Sequence, residues 1–310
     1  MVFKKLLGAL GVGGPTVDTV LSTPVVRPGG LIEGQVHLTG GTQESKVNAI
    51  TLDLVARVEI EHAEGEANGL AGFARHVVTG PFTLAAGEQR SLPFSFAAPY
   101  EIPVTELAGQ HLHGMALGVR TEVDIAGARD KGDADPLGVE PLPVQRRLLE
   151  AFAALGFRFH GADLEAGRIH GTAQDLPFYQ EIEYLAAPQY AGRFGALELT
   201  LITSAERVEV VLEFDRSGSD VINHHVVEHA AAEQDLTGLV DGWIQEALAK
   251  GSYGHGGGHG HGDGHGGHGF GGGLVAGAAV GAVGGLVVEE FMDEVVEEAF
   301  EDAFEEAFED

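Results

Sequence analysis

Ile50-Thr51-Leu52-Asp53-Leu54-Val55-Ala56-Arg57-Val58-Glu59-Ile60 carries an apolar residue at every even position and, Val55 apart, a polar one at every odd position. Side chains of an extended chain alternate between two faces. This stretch therefore reads as a long β-strand with one face buried and the other mostly wet. The same period of two recurs on both sides of it. Ile32, Gly34, Val36 and Leu38 alternate with Glu33, Gln35 and His37; Leu117, Val119, Val123 and Ile125 alternate with Arg120, Glu122 and Asp124. Pro28-Gly29-Gly30, Thr39-Gly40-Gly41-Thr42 and Ala86-Gly87-Glu88 supply the turns between strands. Many strands at short spacing with such turns predict an all-β fold, with a first β-sandwich over residues 1–130.

Charge, Gly and Pro gather in residues 131–143, which read as a linker. Beyond it, Val144, Leu148, Leu149, Phe152 and Leu155 fall at helical spacing, and Gly156 ends that helix. Strand patterns resume at Phe157-Arg158-Phe159, then at 178–184, 197–203 and 208–214, so a second sandwich is expected over 144–220. Residues 221–250 read as a helical segment. Within it Leu236, Leu239, Val240, Trp243, Ile244, Ala247 and Leu248 form one stripe, and Asp235 stands where an N-cap belongs. Residues 251–310 read as a low-complexity tail: a Gly/His tract with too little apolar surface to fold, a Gly/Ala/Val run, then an acidic end.

The 310 residues hold no cysteine, so disulfides and thiolate metal sites are excluded, and a cytoplasmic location is expected. The net charge of −29 opposes binding to nucleic acid or to an anionic membrane. All 18 Lys and Arg lie at or before Lys250, whereas residues 251–310 carry 13 acids and no base. The apolar start, Met1 to Leu10, is interrupted by Gly8 and lacks a convincing cleavage site for a signal peptide. The run Leu274–Val288 contains Gly277 and Gly281 four apart, which admits self-association. At fifteen residues it is shorter than the roughly 20 needed to span a bilayer, so membrane contact is not expected.

Several stretches match one bacterial family in order and spacing. They are Val17-Asp18-Thr19-Val20-Leu21, Gly109-Gln110-His111-Leu112-His113-Gly114-Met115, Gly118-Val119-Arg120-Thr121, Asp130-Lys131-Gly132-Asp133 and Pro141-Leu142-Pro143. In the second half they are Leu155-Gly156-Phe157-Arg158-Phe159 and Leu176-Pro177-Phe178-Tyr179-Gln180-Glu181-Ile182-Glu183. Over roughly residues 3–250 the chain resembles the sporulation-control (stage-zero M) family of arrestin-like bacterial proteins. The resemblance implies two tandem arrestin-like β-sandwiches and a role in developmental or stress control. It implies no catalytic residues, and the tail lies outside it. A non-enzymatic regulatory scaffold or adaptor working through protein partners is the expected function, with no required cofactor. The alternative is a metal-binding or metal-responsive protein that uses its tail.

Residue by residue, little else suggests chemistry. His111 and His113 alternate as a metal pair would, but no third ligand has matching spacing, and a hydrogen-bonded loop pair is the expected reading. Asp130, Asp133 and Asp135 fail the EF-hand pattern, since Pro141 stands where the twelfth-position Glu belongs, and are expected to accept backbone N–H bonds. Glu181 and Glu183 share a strand face and are expected to form its wet side. No nucleophile elbow and no phosphate loop is present. The chemical signal lies in the tail. His255, His259, His261, His265 and His268 offer five imidazoles suited to adventitious Zn²⁺, Ni²⁺ or Cu²⁺. Phe300, Phe304 and Phe308 recur every four residues among carboxylates, the spacing of a helical docking element for a partner.

The histidine tract gives a direct test. Untagged protein should be retained on immobilised Ni²⁺ at about pH 7.5, where imidazole is neutral, and replacing all five tail histidines by Ala should abolish retention. Retention that survives would move the site to His111 and His113, or to His224, His225 and His229.

Overall fold

The computed structural model describes residues 13–62, 65–128, 130–214 and 221–250. Among them are seventeen strands and two α-helices, so the chain is mostly β, and it divides into two compact units at Leu142/Pro143.

In the first unit, β1 (Thr16–Leu21), β3 (Leu31–Thr39) and β7 (Gln89–Ala97) form an antiparallel sheet in the order β1-β3-β7. The second sheet is built on β4 (Ser45–His62). On one side of β4 lie β10 (Leu117–Ile125) and then β11 (Lys131–Pro136); on the other lie β5 (Gly65–Thr79) and β6 (Phe82–Leu84). Short pairs complete the unit: β2 (Val25–Val26) with β12 (Gly138–Val139), and β8 (Glu106–Leu107) with β9 (Gln110–His111). The sheets face each other across a core that includes Ile32, Val36, Ile50, Leu52, Leu54 and Val119, all of them buried. Two hydroxyls cross between the sheets, Thr19 Oγ1 to Thr121 Oγ1 at 2.7 Å, and His76 stacks on Phe96 with ring centroids 4.9 Å apart. At Gly34 a Cβ would meet Val20 O at 2.4 Å, so only glycine lets β1 approach β3 at that point.

The expected alternation of β4 holds on its core face. The face expected to be wet is closed as well. Val55 packs with Leu70 and Ala116, and Asp53 is buried beneath a bidentate Arg75 (2.7 and 2.9 Å), with Arg120 at 3.3 Å. The expected linker 131–143 is a correction of a different kind. Its acidic, glycine-containing start is strand β11, paired along β10 from Lys131 to Pro136. Backbone pairing there replaces the apolar side chains that a strand usually shows, and Asp133 anchors it by accepting the Thr19 amide.

In the second unit, α1 (Pro143–Ala154) leads into a single antiparallel sheet of β13 (Arg158–Ala166), β14 (Phe178–Leu185), β15 (Ala196–Thr203), β16 (Arg207–Phe214) and β17 (Val221–Glu228), in chain order, before α2 (Thr237–Lys250). A second sandwich was expected over 144–220, but the described strands of this unit make one sheet, and the helices supply its opposing apolar layer. Phe152 of α1 stacks on Tyr184 at 5.3 Å and meets Phe157 edge-on at 5.5 Å, and Trp243 of α2 stacks on His225 at 4.4 Å. Gln145 Nε2 donates to Thr203 Oγ1 at 2.9 Å, tying α1 to β15. Gly156, at φ +87°, ends α1, and the Phe157 amide returns to Phe152 O at 3.1 Å, as in a Schellman cap.

The segment 221–250, expected to be helical, opens instead with a strand. Val221-Ile222 and Val226-Val227 favour extended backbone, and β16 offers an open edge to pair with. Asp235 does serve the start of α2, its Oδ1 accepting the Thr237 amide at 2.9 Å.

Phe152 is wholly buried where α1 meets the sheet. Phe152→Ala should lower stability by about 3–5 kcal/mol, read as a lower urea midpoint at unchanged slope.

Candidate functional site

The sheet of the second unit has one face toward its helices and another that carries acids. On β13 the second face takes Asp163 and Glu165, on β14 Glu181 and Glu183, on β15 Glu198, and on β16 Glu209 and Glu213. The registers set these acids side by side: Asp163 opposite Glu181, Glu183 opposite Glu198, Glu198 opposite Glu213. Like charges directly across a strand pair repel, so this is a costly arrangement for a structural face.

A loop closes over part of this face. Between β13 and β14 the chain folds back, with Ile169 packed against Tyr179, Ile202 and Val211. Gln174 pins it. Its side chain accepts the Ile169 amide at 2.8 Å and donates to the carbonyls of Gly167, Leu176 and Phe178 at 2.9, 2.7 and 3.0 Å. The Ala173 amide reaches Glu209 Oε2 at 3.3 Å, and His224 Nε2 lies 3.0 Å from the same oxygen.

Glu181 departs most from expectation. It was expected on the wet side of its strand, yet it is 8% exposed. Burial, and then the charges of Glu198, Asp163, Glu165 and Glu213, push its pKa up to about 10. Asp163, Glu165 and Glu181 each place one oxygen within 4.8 Å of the others, a spacing that could hold a metal ion.

A smaller acid pair sits in the first unit on β11. Burial, with Asp18 nearby, moves Asp133 up to about 6 despite the Thr19 amide; burial, Asp133 and Asp18 move Asp135 to about 8. Asp133 accepts a backbone amide, as expected, and so does Asp130, from Ile125 at 3.2 Å. Asp135 differs, for its Oδ2 is buried with no hydrogen-bond partner among the described residues.

Among the described residues, the histidines outside the tail do not converge on one site. His111 is a loop staple, with Nδ1 3.1 Å from Glu106 Oε1 and Nε2 donating to Met115 O at 2.8 Å, while His113 is exposed. His225 lies under Trp243, and His229 donates to Ser204 O at 2.9 Å. The tail positions His255, His259, His261, His265 and His268, and Phe300, Phe304 and Phe308, lie outside the described residues. The sequence reading passed over Asp163, Glu165, Glu198 and Glu213. Their common face on three separate strands is the signal that would have found them, and it becomes visible only once the registers are known.

The model of the family described as SpoOM protein matches residues 3–218. The sporulation-control protein spo0M of Bacillus subtilis (strain 168) is 34% identical over 215 residues, covering 69% of this chain and 80% of the relative. The crystal structure of Spo0M, sporulation control protein, from Bacillus subtilis superposes with a TM-score of 0.67 at 28% identity, covering 77% of this chain and 99% of that one.

The acid faces predict a pH dependence. A carboxyl whose pKa is higher in the folded chain than in the unfolded one holds its proton more tightly when folded. Its stabilising effect is complete below the unfolded value, 3.8 for Asp and 4.5 for Glu, and fades as pH rises through about 6, 8 and 10 for Asp133, Asp135 and Glu181. The urea midpoint should therefore fall between about pH 5 and about pH 8, and Asp135→Asn should flatten that fall without moving the acid-side value.

Proposed function

This chain belongs to the SpoOM protein family, and on that premise we propose that it is a non-enzymatic regulator of sporulation, an adaptor that works through protein contacts. Each unit is read as offering binding surface in place of a reaction centre. The cytoplasm is the setting that this role requires.

The observation that carries the adaptor reading is the outer edge of the second unit's sheet. β17 is the last strand in the order, so its outward backbone groups have no strand partner among the described residues. Ile222 and Val226 stand 48% and 51% exposed on it, two apolar side chains four apart on one face. An extended segment of a partner can add to such an edge, its backbone completing the ladder and its side chains meeting the apolar pair.

The test is cross-complementation. Expressed in Bacillus subtilis lacking spo0M, the chain should restore normal sporulation frequency. Val226→Lys, placing a charge on the edge at a half-exposed position and so leaving stability nearly unchanged, should fail to restore it. Full restoration by a stably folded Val226→Lys protein overturns the edge as the working surface. No restoration by the unaltered chain overturns the regulatory reading.

A further inference from the structure

We propose that the partner at the β17 edge is a second copy of this chain, paired antiparallel with the first about a two-fold axis through His224. The inference rests on reading that edge as the working surface, and it names the occupant.

Edge strands usually protect themselves with charge, proline or a bulge, since their open backbone groups would otherwise pair with another chain. The outer strand β11 of the first unit does so, with Lys131, Asp133, Asp135 and Pro136. β17 does not. Val221 to Val227 contains no Asp, Glu, Lys, Arg or Pro, and the ladder with β16 runs unbroken from Val221, opposite Phe214, to Glu228, opposite Arg207. Ile222, His224 and Val226 are exposed along one face, while Asn223 and Val227 are buried on the other. Leu239, 44% exposed, stands one helical turn before Trp243, which stacks on His225, so an apolar side chain flanks the edge strand on its helix side as well.

The sequence of β17 matches its own reverse. Residues directly opposite in an antiparallel pair share a face of the sheet. With the axis through His224, Ile222 of each copy meets the partner's Val226, Val221 meets the partner's Val227, and Asn223 meets the partner's His225. Apolar faces apolar towards both ends, and polar faces polar in the middle. A shift of two residues sets Ile222 or Val226 against the partner's His224. A shift of one joins the acid face of one copy to the helix face of the other. His224 meets the partner's His224, each already engaged by Glu209 Oε2 at 3.0 Å. Asn223 gains most from the pairing. It is 4% exposed, and its Nδ2 is buried with no acceptor among the described residues, a costly state that a new polar neighbour relieves.

The acids of β16 do not forbid this dimer. β16 and its copy would lie three strand spacings apart, about 14 Å, beyond the roughly 8 Å screening length at physiological salt. The eight residues of β17 span about 26 Å. A contact of that length falls below the roughly 1,000 Å² of a stable interface, so the pairing is reversible, with a dissociation constant in the micromolar range.

Sedimentation velocity of the untagged full-length protein tests this, with a chelator present to prevent metal bridging between tail histidines. The protein should pass from monomer to dimer between about 1 µM and a few hundred µM. Val226→Lys should raise the dissociation constant by about tenfold or more, because each copy then sets a charge against Ile222 of the other. The tail is the same in both proteins, so association through the tail would survive the substitution. The register is read separately. The chain has no cysteine, so His224→Cys introduces a single thiol, and a short bismaleimide should join two copies through it while the exposed His113→Cys stays unjoined. Should Val226→Lys lose its native circular dichroism, Ile222→Lys takes its place, with the same loss expected. Protein that stays monomeric, a dimer unmoved by a folded charge variant, or His224→Cys that does not cross-link overturns the inference. If the chain is monomeric and Val226→Lys still fails to restore sporulation, the edge serves a different protein and only the second copy is overturned. If the dimer forms as described and Val226→Lys restores sporulation, the pairing stands and the edge as the working surface is overturned.

Discussion

A carboxylate taken out of water must be met by a counter-charge, by hydrogen bonds, by a proton or by a metal ion, and much of this chain is arranged around that requirement. Asp53 meets it with arginines. At the centre of β4 it takes two bonds from Arg75 and one from Arg120, and the strand can then be buried on both faces. Asp133 meets it with a backbone amide, and that bond draws β1 toward β11. Asp135 and Glu181 have neither, and burial raises both well above the ordinary carboxylate range. The first two acids hold the architecture in place. The last two leave something for solution conditions to decide.

The contrast separates scaffold from candidate site. Replacing the partner of Asp53 would strand a buried charge, a loss of several kcal/mol in comparable cases. Replacing Glu181 by its amide removes a charge that the folded chain does not readily carry. Destabilisation on removal marks a structural acid, and tolerance on removal marks one retained for another purpose.

Much of the fold was legible because burial imposes periodicity. The alternation of residues 50–58 gave β4, and the helical spacing of Val144, Leu148 and Phe152 with Gly156 beyond it gave α1. The misreadings have physical causes. Lys131-Gly132-Asp133-Ala134-Asp135-Pro136 has no apolar face, so its strand character comes only from the ladder with β10. Val221–Glu228 adjoins the helical stripe that follows it, and only the edge of β16 decides its conformation. Glu181 alternates with Ile182 as any wet residue would, and its burial depends on β13 and β15 on either side, which the pattern of β14 alone does not report. A strand pattern reports that two faces differ. It cannot report that the polar face is also closed.

The order of the sheet in the second unit has a kinetic consequence. Within the second unit, β13 to β17 each pair with the next strand in the chain, so each of these ladders closes across a short loop, whereas in the first unit β4 must find β10 across some sixty intervening residues. Local closure costs less chain entropy and proceeds faster. On a ribosome the first unit emerges earlier but must wait for its own distant strands. The second unit can zip up hairpin by hairpin as it is made.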